Sequence, residues 1–73
     1  GGNILPMDIK QKFGIKVREL REKKDISQER LAELAGLDRT YISGIERGKR
    51  NVAIVNVDKI SKALKVKIED LFK

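Results

Sequence analysis

The sequence has no cysteine, no histidine and no tryptophan among its 73 residues. Together these absences remove disulfides, thiolate nucleophiles, imidazole general bases and the common zinc sites. An enzyme is therefore not expected, nor is a cofactor or a metal ion. Long apolar runs are missing as well: nothing approaches the roughly 20 residues that cross a bilayer, and no basic segment leads into an apolar one as in a signal peptide. A cytoplasmic protein with no membrane partner is the expectation. Proline occurs once, at Pro6, and the aromatics are confined to Phe13, Tyr41 and Phe72. A core must then be built from Leu, Ile, Val and Ala, which suits closely packed helices.

What is present is positive charge and helical periodicity. Lys and Arg number 17 against 11 Asp and Glu, a formal charge of +6, which favours an anionic partner such as a phosphate backbone. A merely solvated basic surface is the plainer alternative. The length allows one domain. Residues 1–6 read as an N-terminal tail, disordered or left over from cloning, and residues 7–73 as the domain.

Ile9, Phe13, Val17 and Leu20 fall at spacings of four, four and three, one stripe of a first helix. Pro6 precedes it, where a missing N–H is harmless, and Lys23-Lys24-Asp25 closes it. Gly14 in its interior is about 1 kcal/mol worse than Ala, which suggests a close packing contact, the plainer reading being that the cost is merely tolerated. Ser27 is an N-cap candidate for Gln28 to Ala35, and Gly36 supplies the left-handed turn that stops this second helix. Leu37 then plugs the core. Asp38 is an N-cap candidate for a third helix, Arg39 to Arg47, with Ile42 and Ile45 on its buried edge and Gly48 at its end. Ile54, Val57, Ile60, Ala63 and Leu64 mark a fourth helix with Asn56, Asp58, Lys59 and Lys62 outside, and Val66 to Phe72 a short fifth.

Counted from Gln28, Leu31 is fourth, Ala32 fifth, Gly36 ninth, Leu37 tenth, Ile42 fifteenth and Ile45 eighteenth. This is the spacing of a helix-turn-helix unit: Ala32 is small where the next helix crosses, Gly36 makes the turn, and the larger residues join the two helices. With Phe13-Gly14, Leu20-Arg21-Glu22, Ser27 to Ala32 and Ile42 to Arg50, the chain resembles the Xre/Cro family of lambda-repressor-like regulators from Phe13 to Phe72. The resemblance implies an all-α fold of five helices, with the second and third forming the DNA-reading unit. Within that family, Leu37 to Arg47 followed by Arg50-Asn51-Val52 looks like the controller proteins of bacterial restriction-modification systems.

That resemblance implies that the third helix enters the major groove. Arg39 can present a bidentate fork to guanine, Thr40 a hydroxyl and a methyl, and Tyr41 a contact to base or phosphate. Ser43 and Gly44, one turn on, lack bulk and would let the helix approach closely; ordinary exposed helix surface is the plainer reading of these positions. Family members place an amide and free N–H groups against a phosphate where Gln28 stands. Arg47, Lys49, Arg50 and Asn51 lie past the end of the third helix and can flank the groove, Arg50 being also a candidate for the bases. The alternative for this loop is a solvated charge cluster. The resemblance also implies a buried ion pair between Glu46 and Arg21, structural in role. Glu29 and Glu33, four apart, read as a solvated helix face.

One helix-turn-helix reads only a few base pairs, so two copies about 34 Å apart are expected on a palindromic site. The candidate dimer surface is Val66, Ile68, Leu71 and Phe72 with Ile54 and Val55; closure of the chain's own core is the alternative use of the same residues. The sum of these readings is a bacterial, cytoplasmic, nucleoid-associated homodimer that binds a palindromic operator in double-stranded DNA. Its expected role is to regulate transcription without a small-molecule ligand, and RNA polymerase is a further candidate partner. The rivals are an antitoxin or phage-type repressor on the same scaffold, the DNA-targeting domain of a larger enzyme such as a methyltransferase, and a protein-interaction module that binds no DNA.

Overall fold

A computed structural model describes residues 7–73. Among the described residues it contains four α-helices, α1 (Ile9–Lys23), α2 (Gln28–Ala35), α3 (Arg39–Glu46) and α4 (Ile54–Leu64), then a 3-10 helix, Ile68–Phe72, and no strand. The tail proposed for residues 1–6, Pro6 included, lies outside the described residues. No described helix is long and apolar enough to cross a membrane.

Local chemistry accounts for most of the helix ends. The Asp8 carboxylate accepts from the Gln11 N–H at 2.9 Å while the Gln11 side chain accepts from the Asp8 N–H at 3.1 Å, a reciprocal cap that starts α1. The Ser27 hydroxyl accepts from the Arg30 N–H at 2.9 Å, starting α2 as its sequence position suggests. Gly36, at φ +69°, turns the chain, and the Leu37 N–H returns to the Ala32 carbonyl at 2.9 Å. Asp38 departs from expectation: its backbone is extended but its side chain makes no capping bond. Its carbonyl begins α3 instead, accepting from Tyr41 and Ile42 at 3.1 Å.

The core is aliphatic, as the shortage of aromatics requires. Val17, Leu31, Ile42, Ile45, Ile60, Leu64 and Leu71 are almost completely buried, each contributing about 1.5–3 kcal/mol by leaving water. α3 packs against both α1 and α2, α4 against α2, and the terminal 3-10 helix against α1 and α4. Gly14 is the tightest point: a Cβ there would run into the Ile45 carbonyl oxygen and lie 3.0 Å from that of Glu46. The backbones of α1 and α3 therefore touch, and glycine is what permits it.

Four expectations need correction. Ile9, assigned to the buried stripe, is 64% exposed; it sits in the first turn of α1, at the rim of a hollow of about 330 Å³ shared with Phe13 and Phe72. The fifth helix is the 3-10 turn Ile68–Phe72, because Lys65 at φ 58° and the extended Lys67 consume the preceding residues. α3 ends at Glu46, one residue early, with Arg47 as its C-cap and Gly48 in the left-handed region. Leu71, assigned to the dimer surface, is fully buried, and Val66 is half-buried against the same core, so both close the chain's own interior.

Candidate nucleic-acid interface

α3 divides its residues by face. Ile42 and Ile45 lie in the core, while Arg39 and Thr40 are exposed and Tyr41 and Ser43 are half-exposed. Beyond its end come Arg47, Lys49, Arg50 and Asn51, all exposed. Among the described residues, none of Arg39, Arg47, Lys49 or Arg50 enters an ion pair. Their charge is thus available to an outside anion, whereas Arg18, Arg30 and Lys62 are matched to acids along their own helices. Arg47 Nε leans back on the Ser43 carbonyl at 3.4 Å, a long contact.

The helix is held by a charged tie on its inner side. Arg21 of α1 donates Nε to Glu46 Oε2 at 2.7 Å and a terminal nitrogen to Glu46 Oε1 at 3.0 Å, the paired geometry a planar guanidinium favours. It donates its other terminal nitrogen to the Ile26 carbonyl at 2.8 Å. The side chains are 12% and 3% exposed. The hydrogen bond to Glu46 raises the Arg21 pKa, against the opposing effect of burial, so the group is permanently charged. Gln28 Nε2 donates to the same carboxylate at 3.0 Å. The Gln28 side chain, assigned to a phosphate on resemblance, is here engaged with Glu46, and the N-terminal backbone of α2 is what it leaves for a phosphate.

Tyr41, Arg50 and Asn56 form a second cluster, on the outer side. The Arg50 guanidinium carbon stands 5.6 Å from the centroid of the Tyr41 ring, and Asn56 Nδ2 donates to the Tyr41 hydroxyl at 3.1 Å. Together with Thr40 and Leu37 they border an open hollow of about 620 Å³. Gly44 is not bare groove-facing surface: it is buried, with the Arg50 side chain laid over it. Asn56 is the participant the sequence does not single out. Its position suggests only the polar outer face of α4, it is half-buried, and 15 residues separate it from Tyr41. No local spacing signals such a pair.

The remaining apolar candidates are distributed differently. Ile54 and Val55 are 79% and 62% exposed, and Ile68 and Phe72 are also exposed. Phe72 nonetheless packs against Phe13, with ring centroids 5.3 Å apart and the planes tilted by 32°.

Comparison with known proteins bears on the family and the fold. A helix-turn-helix family model matches residues 17–71. The chain is 54% identical over 66 residues to the control protein C.MunI of a Mycoplasma species, spanning 89% of this chain and 89% of that protein. It superposes on the crystal structure of the restriction-modification controller protein C.AhdI from Aeromonas hydrophila with a TM-score of 0.85 at 52% identity, covering 86% of this chain and 96% of the other. C.Esp1396I, in a structure bound to a 25 base pair operator site, matches with a TM-score of 0.82 at 39% identity, over 92% of this chain and 88% of that one.

Proposed function

We propose, from the premise that this chain belongs to the helix-turn-helix family and within it to the restriction-modification controller proteins, that it regulates transcription as a homodimer on a palindromic operator. It is a DNA-binding regulator rather than an enzyme. The observation that carries this reading is the division of α3, whose inner residues are locked in the core while Arg39, Thr40 and Tyr41 face outward beside unpaired cations. A helix so held presents base-reading groups in fixed geometry, and Arg47, Lys49, Arg50 and Asn51 supply phosphate contacts at its flank. The operator-bound relative supports the same assignment.

The dimer follows from specificity, since a short helix reads too few base pairs alone. Ile54, Val55, Ile68 and Phe72, the large apolar residues exposed around α4 and the 3-10 helix, are its candidate surface. The cytoplasm, at the nucleoid, is the compartment that fits this work, and an operator beside a promoter puts the bound dimer within reach of RNA polymerase.

Selection of random duplexes with the purified protein tests the reading. It is expected to enrich a palindrome with half-sites about one helical turn apart. Absence of any enriched sequence at low ionic strength, or enrichment of a lone half-site, would overturn it. A protein-interaction module predicts no binding and no salt dependence.

A further inference from the structure

We infer that Gly44 and Asn56 are positioning residues that hold Arg50 and Tyr41 together as one preassembled reading unit, so that the loop cation acts from a seat on α3. The inference rests on the reading of α3 as the DNA-contacting helix, and it assigns to Gly44 a role other than close approach to the groove.

Three contacts carry it. Asn56, in the first turn of α4, donates Nδ2 to the Tyr41 hydroxyl at 3.1 Å. That bond uses the phenol oxygen as acceptor and leaves its proton to donate outward. The fixed ring in turn bears the Arg50 guanidinium, 5.6 Å from its centroid, within the range of cation–π attraction. Beneath the arginine stem lies Gly44, where a Cβ would stand 3.0 Å from Arg50 Cγ and 3.1 Å from Nε. A methyl at position 44 therefore forces the Arg50 stem aside by a few tenths of an ångström, enough to tilt the fork at its end, while α3 itself is undisturbed because the two closest atoms belong to a flexible side chain.

The functional consequence is one of preorganisation. An exposed arginine on a loop is normally ordered only when it binds, and the lost freedom is subtracted from the contact. Seated on Gly44 and Tyr41, Arg50 meets the duplex already aimed. Two hydrogen bonds in a guanidinium fork then discriminate between bases only while the fork keeps its angle. Asn56 and Gly44 need not touch DNA to govern that angle: one fixes the ring and the other leaves room for the stem.

The test uses the duplex that the wild-type protein enriches from a random library, and a scrambled duplex of equal length and composition, at one salt concentration. The ratio of the two Kd values is the readout. Gly44→Ala and Asn56→Ala are each expected to lower this ratio by about fivefold or more. The Tm of Gly44→Ala is expected not to fall, since alanine is the better helix former, so the loss cannot come from unfolding. Double-mutant cycles locate the effect: the loss from Gly44→Ala should disappear in an Arg50→Ala background, and that from Asn56→Ala in a Tyr41→Phe background. Retention of the wild-type ratio by both single variants overturns the inference. So does a loss that persists in full in the double variants, because it would mean direct contact with DNA. If the wild type enriches no sequence, the DNA-reading assignment fails first and this inference with it, and the wild-type arm alone reveals that case.

Discussion

Glu46→Ala tests how α3 is held. The Arg21–Glu46 pair has side chains only 12% and 3% exposed, so it falls outside the surface class whose pairs contribute about 0–1 kcal/mol. Deleting the acid strands a guanidinium in a poorly solvated place, which typically costs about 3–5 kcal/mol. Arg21 keeps its bond to the Ile26 carbonyl at 2.8 Å, while Gln28 loses its acceptor; the lower end of the range, about 3 kcal/mol, is expected. Against a total near 4–11 kcal/mol for a chain of 73 residues, that is a large fraction, and a Tm drop on the order of 10–20 °C follows. Urea and thermal unfolding at one protein concentration measure it, since dimerisation would otherwise shift the midpoint. Arg21→Met combined with Glu46→Leu should recover most of the loss, because neither charge is then stranded. Alkali should not substitute for the mutation. The raised Arg21 pKa means its stabilisation is fully present below the ordinary guanidinium value and is lost only as pH climbs through the still higher folded one. A loss below about 1 kcal/mol in Glu46→Ala would show that the tie behaves as a surface pair and would refute the argument.

Gly14→Ala should destabilise the fold by about 1–3 kcal/mol despite its better helix propensity, because the new methyl meets backbone of α3 that cannot move alone; a stabilised variant in urea titration would contradict this. Arg39→Ala should cost about 1–3 kcal/mol on the enriched duplex and relax preference at one base pair, and equal loss on all duplexes would remove Arg39 from base reading. Lys49→Ala should weaken every duplex alike and reduce the slope of log affinity against log salt by about 0.9; an unchanged slope excludes a phosphate contact. Asp70 is held below the usual carboxylate range first by its hydrogen bond to Lys73 and then by the Lys67 N–H. A depressed pKa stabilises above the unfolded value and is lost as pH falls through the folded one, so the 3-10 helix should loosen only in acid. An NMR titration midpoint for Asp70 at or above 3.8, its ordinary value, would contradict that.

The parts of this molecule legible in the sequence are those governed by near neighbours along the chain. Ser27 caps α2, Gly36 turns at positive φ, and the spacing from Leu31 to Ile45 places four side chains in one core, because each depends on helical period or on backbone freedom at one residue. Ile9 satisfied the period and still lies outside, since period says which stripe a residue occupies but not whether a neighbour reaches that far along the helix. Leu71 and Phe72 are adjacent and equally apolar, yet one is buried and the other half-open. Only the path of the 3-10 turn across α1 and α4 separates them. The partner of Asn56 and the covering of Gly44 are illegible for a related reason, as Tyr41 and Arg50 come from other elements, and contacts of that kind leave no spacing to read.

The residues of α3 are few enough that their uses exhaust the helix. Ile42 and Ile45 fill the core, Glu46 binds Arg21, and Gly44 lies under Arg50. Arg39, Thr40, Tyr41 and Ser43 are what remains for outside contact, and Tyr41 is itself fastened to Asn56. A relative with the same fold but a different operator would then have to change its preference at positions 39, 40 and 43 or in the loop 47–51, because substitutions at Ile42, Ile45 and Glu46 act on stability before they reach DNA, and those at Tyr41 and Gly44 reach it through the seat of Arg50. The separation has a physical origin. A reading surface can vary freely only where its side chains make no demand on the core, and in so small a domain that freedom is confined to one edge of one short helix and the loop that follows it.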